Sequence, residues 1–251
     1  MGSTVSLRSR NTATGDAQSE YDAATSETIL RYSAVNLDED FTGPGFSTLA
    51  TSATAGCAWI KKTVQTGGTP SVGPVANAAG GVIRLSLDNT SEKQEATLYA
   101  ADVLNWDMTK SAIFEARISN HVLPTTNVEI VFGLQSAWID GPDNASYYAQ
   151  FQQSASGVVN FRTKDGVNTL SNASAVTLVA DAFHIFRIDA RDVTNIRFFI
   201  DSVEVSASGQ MTFAATGANA ILQPYVSVYK PSGTGVGSVD VDMIQVGINR
   251  S

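Results

Sequence analysis

The chain of 251 residues has one cysteine, Cys57, so it lacks the groups that build several common kinds of site. A single thiol excludes an intrachain disulfide and a zinc site made from several cysteines. We therefore expect a protein that is made in a reducing compartment or needs no oxidation. Cys57 itself is most simply interpreted as a small buried thiol.

Positive charge is also scarce, because 16 Lys and Arg residues stand against 24 Asp and Glu residues, for a net charge of −8. No Lys/Arg-rich run is present, so the attraction that nucleic acids and anionic membranes require is missing. No stretch approaches the roughly 18 apolar residues that cross a bilayer, and the N-terminus lacks the apolar region of an export signal. We expect a soluble protein that binds neither nucleic acid nor membrane.

Few of the groups that carry catalysis are present. The only histidines are His121 and His184, and neither has the sequence context of a catalytic base. The run E-x-D-x-x-E that lines up carboxylates in sandwich glycoside hydrolases is absent from the body of the chain. The nearest partial match to this run begins at residues 20–22, with Thr25 in place of the last glutamate. We predict no catalytic residue, no cofactor and no enzymatic activity.

Three acidic clusters could offer oxygen atoms to calcium: residues 38–40, residues 140–144, and Asp240 with Asp242. None has the spacing of a known calcium loop. We interpret them as an acidic edge, a turn and the polar face of a strand, and we predict no metal site.

Short runs of alternating apolar and polar residues, in contrast, are abundant, and clusters of Gly, Pro, Ser, Thr and Asn separate them. The run Phe183 to Val205 holds two alternating strands, a turn at Asp201-Ser202 and a short return strand, which predicts a β-meander. Further strands are predicted at residues 58–66, 81–88, 94–100, 111–119, 127–135, 147–152, 158–163, 222–229 and 236–248. This pattern is typical of an all-β sandwich.

Three finer predictions concern the late strands and the loops. In the last strand, Val239, Val241 and Met243 should face opposite to Asp240 and Asp242. The segment 67–81, GGTPSVGPVANAAGG, should contain no strand because of its prolines and glycines. Residues 233–238 should form a flexible hairpin loop.

Residues 1–38 differ in composition and pattern from residues 39–251, which we assign to one sandwich domain. They are rich in Ser, Thr, Ala and charged residues and show no sustained alternation. A short helix over residues 17–32 and a disordered tail are the two interpretations that this composition allows. An ordered arm of this kind would lie against another subunit.

Tyrosines opposite the core-facing positions are the remaining indication of a binding surface. Tyr148 with Gln150 and Gln152, and Tyr225 with Tyr229, could form a stacking platform for sugar. Such tyrosines suit a protein interface equally well. Both alternatives stay open at the level of the residues.

The order of motifs resembles a known family: an opening DEDF, then GGVIRLSL, EATLYA, SAIFEARI and VEIVFGL, YYAQF with NFRTKDG, HIFRIDA, IRFFIDSVEV, and a final PYVSV with VDVDMIQV. Over residues 39–248 the chain is similar to the laminin-G-like or concanavalin-A-like jelly rolls of tailed-bacteriophage structural proteins, particularly head decoration (cement) proteins. The resemblance implies a two-sheet antiparallel jelly-roll sandwich with an extended N-terminal arm.

The same resemblance implies a non-enzymatic virion protein, made in the host cytoplasm, that sits on the outer capsid surface as a homotrimer. Its partner would be the major capsid protein, and the arm would reach over that protein. The candidate contacts in the arm are Leu7, Arg8, Arg10 and Tyr21. The alternative is a carbohydrate-binding, lectin-like module of a virion tail or surface protein, with a surface glycan as its ligand.

Overall fold

The structure, a computed structural model, describes residues 19–21, 28–30, 35–42, 46, 49–52, 59–155, 157–207 and 209–249. Its strands are β1 (Ser19–Tyr21), β2 (Thr28–Leu30), β3 (Val35–Glu39), β4 (Ile60–Gln65), β5 (Ser71–Pro74), β6 (Ile83–Leu87), β7 (Gln94–Tyr99), β8 (Trp106–Asp107), β9 (Ala112–Val122), β10 (Glu129–Gln135), β11 (Tyr147–Gln153), β12 (Val158–Asp165), β13 (Thr169–Thr177), β14 (Phe183–Ala190), β15 (Arg197–Ile200), β16 (Val203–Glu204), β17 (Ile221–Lys230) and β18 (Gly237–Ile248). Two 3₁₀ helices lie at Pro142–Asn144 and Gly217–Ala220.

Two antiparallel sheets make up the body. The front sheet has the strand order β13-β12-β11-β10-β17-β7-β4, and β8 pairs with β17. The back sheet has the order β16-β15-β14-β9-β18-β6-β5, and β3 pairs with β18. This arrangement confirms the predicted all-β, two-sheet antiparallel sandwich. Within the described residues, no helix has the length and apolar character needed to span a membrane.

Alternate residues of facing strands fill the space between the sheets. Ile130, Phe132 and Leu134 on β10 are buried in one core with Phe114, Ala116 and Ile118 on β9. Five phenylalanine rings join the two sheets, with centroids of neighbouring rings 4.7–5.5 Å apart: Phe132, Phe151, Phe161, Phe186 and Phe198. Side-chain alternation therefore leaves the other face of each sheet free for polar groups.

The meander of β14, β15 and β16 occupies one edge of the back sheet, as predicted. Ile200 pairs with Val203 across a two-residue turn. Asp201 and Ser202 in that turn have φ values of 49° and 67°. Positive φ at both central residues suits the right-handed twist of a hairpin.

Two of the finer predictions are wrong and one is right in part. The segment 67–81 does hold a strand, β5, which the prediction missed because Pro74 is tolerated at the sheet edge that β5 occupies. In the last strand Val239 and Val241 lie in the core as predicted, but a register shift between Val241 and Met243 turns Met243 out of it. Residues 233–238 join strands of different sheets, so they form no hairpin.

The N-terminal region is described only in part. β1 pairs with β2, so the described residues within 17–32 are extended and not helical. β3 pairs with β18 in the back sheet, and the predicted boundary between residues 38 and 39 falls inside it.

Candidate functional site

The outer face of the front sheet, which points away from the back sheet, carries polar and aromatic side chains. These residues alternate with the core-facing ones, and the antiparallel register sets them side by side across five strands. We call them the front patch: Glu95, Thr97, Tyr99, Glu129, Gln135, Tyr148, Gln150, Gln152, Arg162, Tyr225, Ser227 and Tyr229.

A loop of residues 136–146, which joins β10 to β11, lies across this patch. The Trp138 Nε1–H donates a hydrogen bond of 2.9 Å to Glu95 on β7, and Lys62 on β4 places its Nζ 3.2 Å from the centroid of the Trp138 ring. Farther along the loop, the Asp143 carboxylate lies 2.6 Å from the guanidinium of Arg162 on β12. The loop therefore crosses the sheet from β4 to β12, and most of the patch is buried.

Glu95 is the central polar group under the loop, and it is fully buried. Its Oε1 accepts hydrogen bonds from the hydroxyl of Thr97 at 2.8 Å and the phenol of Tyr225 at 3.2 Å. Its Oε2 accepts one from the backbone N–H of Gly141 at 3.2 Å. Burial first, and then the charge of Glu95, raise the pKa of Tyr225 well above its ordinary value, so the phenol remains a donor.

Gly141 fits where the loop passes closest to the sheet. Its φ is 76°, and a Cβ at this position would lie 3.0 Å from the Asn144 amide nitrogen and 3.5 Å from the Tyr229 ring. A larger residue would thus be strained in the loop.

A second charged group lies on the β12 side of the patch. Glu129 accepts hydrogen bonds from the Gln152 amide and from Arg162, the latter at 3.3 Å. Burial first, and then the neighbouring carboxylate of Asp143, raise the pKa of Glu129 to about 7 against the lowering effect of Arg162. Glu129 therefore exchanges a proton near neutral pH.

Several buried polar atoms of the patch have no hydrogen-bond partner within the described part of the chain. They are both side-chain atoms of Gln135, the Nε2 of Gln150 and the Nε of Arg162. Gln223, next to Gln135 in the register, bonds to Asp102 and to the backbone oxygen of Ser136. A buried amide without a hydrogen bond costs about 1–3 kcal/mol of stability, so a polar ligand that bonded to these atoms would be bound favourably.

The structure brings together the tyrosines that the sequence predicted for a sugar platform. Tyr148 and Tyr225 do face away from the core, but only 2% and 1% of their surfaces are exposed. Trp138 of the covering loop packs against the cluster that contains Tyr225, and Arg162 and Lys164 on β12 lie over the ring of Tyr148. Alternation within the strands could not show these contacts. Glu95, Gln135 and Arg162 were missed, although their positions opposite the core-facing residues were a usable signal.

The other sequence candidates lie elsewhere. Leu7, Arg8 and Arg10 are outside the described residues, and Tyr21 is described only as part of β1. Four of the carboxylates considered for calcium face basic groups: Asp240 pairs with Arg84, Asp242 with Arg117, Asp143 with Arg162 and Asp140 with Lys93. In the cluster of residues 38–40, Glu39 accepts from the backbone N–H of Phe41 and Asp40 from Thr42. His121 and His184 pair with Asp181 and Asp201, away from the front patch.

This fold, two stacked antiparallel sheets with the strand orders given above, is that of the concanavalin-A-like jelly-roll β-sandwiches. The chain matches no protein-family model and no curated protein sequence. Among solved structures it is similar to an endo-1,3-β-glucanase from Streptomyces sioyaensis, with 14% identity and a TM-score of 0.57 over 85% of this chain and 96% of that one.

Two further solved structures show the range of proteins with this fold. The carbohydrate recognition domain of Emp47p is 15% identical, with a TM-score of 0.50 over 83% of this chain and 97% of that one. An endo-β-1,4-glucuronan lyase from the fungus Trichoderma reesei is 12% identical, with a TM-score of 0.55 over 85% and 95%. At such identities the likeness shows the fold alone.

These likenesses contradict the prediction that the chain has no enzymatic activity, because a glucanase and a lyase share its fold. The prediction rested on two histidines without a catalytic context, on the missing E-x-D-x-x-E run and on the resemblance to structural proteins. That run belongs to one class of sandwich hydrolases, so its absence does not exclude other chemistry.

Proposed function

We propose that the chain is a carbohydrate-binding domain and that its site is the front patch. The observation that carries this proposal is a set of buried polar atoms without hydrogen-bond partners in the described part of the chain, namely the Gln135 amide, the Gln150 Nε2 and the Arg162 Nε, on the sheet face that also carries Tyr148 and Tyr225. A site that combines aromatic surfaces with a few directed polar groups is typical of small-ligand recognition. Solved structures of similar fold include a carbohydrate recognition domain and a glucanase, which adds support.

The chemistry of the patch suits a neutral, hydroxyl-rich glycan. Glutamine amides both donate and accept hydrogen bonds, as sugar hydroxyls do. The carboxylates of Glu95 and Glu129 can accept from hydroxyls, but they repel an acidic sugar. The net charge of −8 also opposes a polyanionic polymer.

Capsid decoration stays a prediction from the sequence resemblance. The major capsid protein as partner, the homotrimer and the outer capsid surface belong to that prediction as well. No observation on the described residues favours it over glycan binding.

Isothermal titration calorimetry with laminarin-derived β-1,3-glucan oligosaccharides tests the proposal. We expect saturable binding that Gln150→Ala weakens by about tenfold or more, because it removes an amide that can bond to a hydroxyl. Gln245→Ala on the back sheet is the matched control and should bind as wild type does. Equal affinity of the Gln150→Ala variant would contradict the assignment of the site, and stronger binding of β-1,4-glucuronan would contradict the preference for neutral glycans.

A further inference from the structure

The contacts that hold the loop of residues 136–146 differ from those of the sheet beneath it. Within the loop, the backbone N–H groups of Asn144 and Ala145 bond to the oxygens of Gly141 and Pro142. The last bond between β10 and β11 at the base of the loop joins Ser136 to Tyr147. The loop can therefore move as a unit without breaking the ladder of either sheet.

The outer contacts of the loop are ion pairs at its exposed rim. Asp143 pairs with Arg162, and Asp140 pairs with Lys93 on the opposite side. About half of each aspartate side chain is exposed, 52% for Asp143 and 46% for Asp140. The Lys93 side chain is 27% exposed, so its pair with Asp140 is comparable to a surface ion pair of roughly 0–1 kcal/mol. The Arg162 side chain is 8% exposed but also pairs with Glu129, so the Asp143 contact can open without leaving a buried charge unpaired.

The inner contacts of the loop form a small apolar cluster separate from the main core. Ile60, Tyr99, Val131 and Tyr225 are buried there, and Trp138 packs against them. Trp138 is half-buried, and four hydrogen bonds join the described loop residues to the structure beneath them. Trp138 Nε1–H and Gly141 N–H donate to the Glu95 carboxylate, Trp138 N–H donates to the Asp102 carboxylate, and the Gln223 amide donates to the backbone oxygen of Ser136. A segment with so few inner contacts opens at lower free energy than the strands do.

Space for movement lies beside the loop. A cavity of about 340 Å³ separates it from the 3₁₀ helix at Gly217–Ala220 and the start of β17. Its walls include Trp138, Ile139, Tyr147 and Ile221. Ligand pockets have volumes of roughly 300–1,000 Å³, so this cavity is large enough for part of a small ligand.

We propose that the loop of residues 136–146 is a lid, and that a neutral glycan reaches the front patch only when the lid lifts. The closed lid explains why Gln135 and Gln150 are buried although both side-chain atoms of Gln135 and the Nε2 of Gln150 lack partners within the described residues. This inference rests on the proposed function and adds the entry route and the covered subsite. Closed protein binds no glycan, so the apparent dissociation constant rises as the open fraction falls.

The double variant Asp140→Asn/Asp143→Asn tests the lid with little risk to the fold, because both side chains are exposed and keep their shape. Loss of two weak ion pairs should raise the open fraction, and thus the affinity for laminarin oligosaccharides, by about fivefold. Asp192→Asn, on an exposed turn between β14 and β15, is the matched control. It should leave the affinity unchanged.

A readout without ligand separates the lid from the proposed function. Trp59 and Trp106 are buried, so acrylamide quenching of fluorescence reports mainly on Trp138. Quenching, and hydrogen exchange in residues 136–146, should both increase in the double variant. Unchanged quenching and exchange would overturn the lid, and so would glycan binding that is equal or weaker in the double variant. If wild type and double variant both fail to bind any glycan while quenching rises, the loop moves but the proposed function and the sugar subsite are wrong.

Discussion

At the scale of single residues, Lys230 shows how the chain stabilises the loops behind the front sheet. Its side chain is fully buried, and its Nζ donates to the backbone oxygens of Asp88 at 2.6 Å and of Thr90 and Gly235 at 2.9 Å each. An ammonium group has three N–H donors, so all of them are used. Lys230 thus ties the turn after β6 to the loop before β18.

Replacement of Lys230 by methionine should be strongly destabilising. The apolar side chain fits in length but leaves three buried carbonyl oxygens without a donor, and we expect a loss of about 3 kcal/mol or more in unfolding free energy. Urea unfolding measures it. Lys110→Met, at a half-buried position outside this cluster, should change stability by less than about 0.5 kcal/mol. A Lys230→Met variant as stable as that control would refute the account.

Glu129 should make stability depend on pH. Because the folded protein raises its pKa from 4.5 to about 7, the folded state binds the proton more tightly than the unfolded chain does. Below pH 4.5 this carboxyl therefore does not lower the unfolding free energy. Between pH 4.5 and 7 it lowers the unfolding free energy increasingly, by at most about 3 kcal/mol. Above pH 7 the reduction is constant.

Glu129→Gln should remove that dependence, since glutamine resembles the protonated acid. Relative to wild type, the variant should be more stable at pH 8 and about equally stable at pH 4.5, by urea unfolding at both values. Glu92→Gln, at an exposed position, should show no such difference between the two pH values. If the difference in unfolding free energy between Glu129→Gln and wild type were the same at both pH values, folding would not raise the pKa of Glu129.

At the scale of elements, Gly133 in the middle of β10 has no room for a side chain. Its φ is 149°, and a Cβ there would lie 2.5 Å from the Ala149 oxygen and 2.7 Å from the Gln150 Cα. We expect Gly133→Ala to lower the unfolding free energy by about 2 kcal/mol or more. Gly73→Ala on the edge strand β5, where a Cβ meets nothing within 4 Å, is the control and should be nearly neutral. Equal effects of the two changes in urea unfolding would show that β10 can adjust.

Strands with strict alternation could be predicted from the sequence, and strands without it could not. β9, β10 and β14 place every second residue in the core between the sheets, so the alternation in their sequences identified them as strands. β13 was missed because it is a polar edge strand with one fully buried residue, Ser174. The sheet to which a strand belongs, as for β17 and β18, depends on pairing with strands far away in the sequence. Local periodicity carries no information about that pairing.

At the scale of the whole molecule, the candidate site depends on contacts between distant parts of the sequence. The turn composition of residues 140–144 predicted a turn but gave no sign that the loop crosses the sheet. That path is set by bonds such as Trp138 to Glu95 and Asp143 to Arg162, which join a loop to strands elsewhere in the front sheet. The sequence therefore predicted which tyrosines face outward and could not predict that they are covered.

The most direct test of the central claim is to map glycan contacts on the protein by backbone amide chemical shifts during titration with laminarin oligosaccharides. We predict shifts in residues 136–146 and at front-patch positions of β10, β11 and β17, with the back-sheet strands unchanged. Shifts confined to the back sheet or to the N-terminal residues, or no shifts at saturating concentrations in wild type and in Asp140→Asn/Asp143→Asn alike, would contradict it.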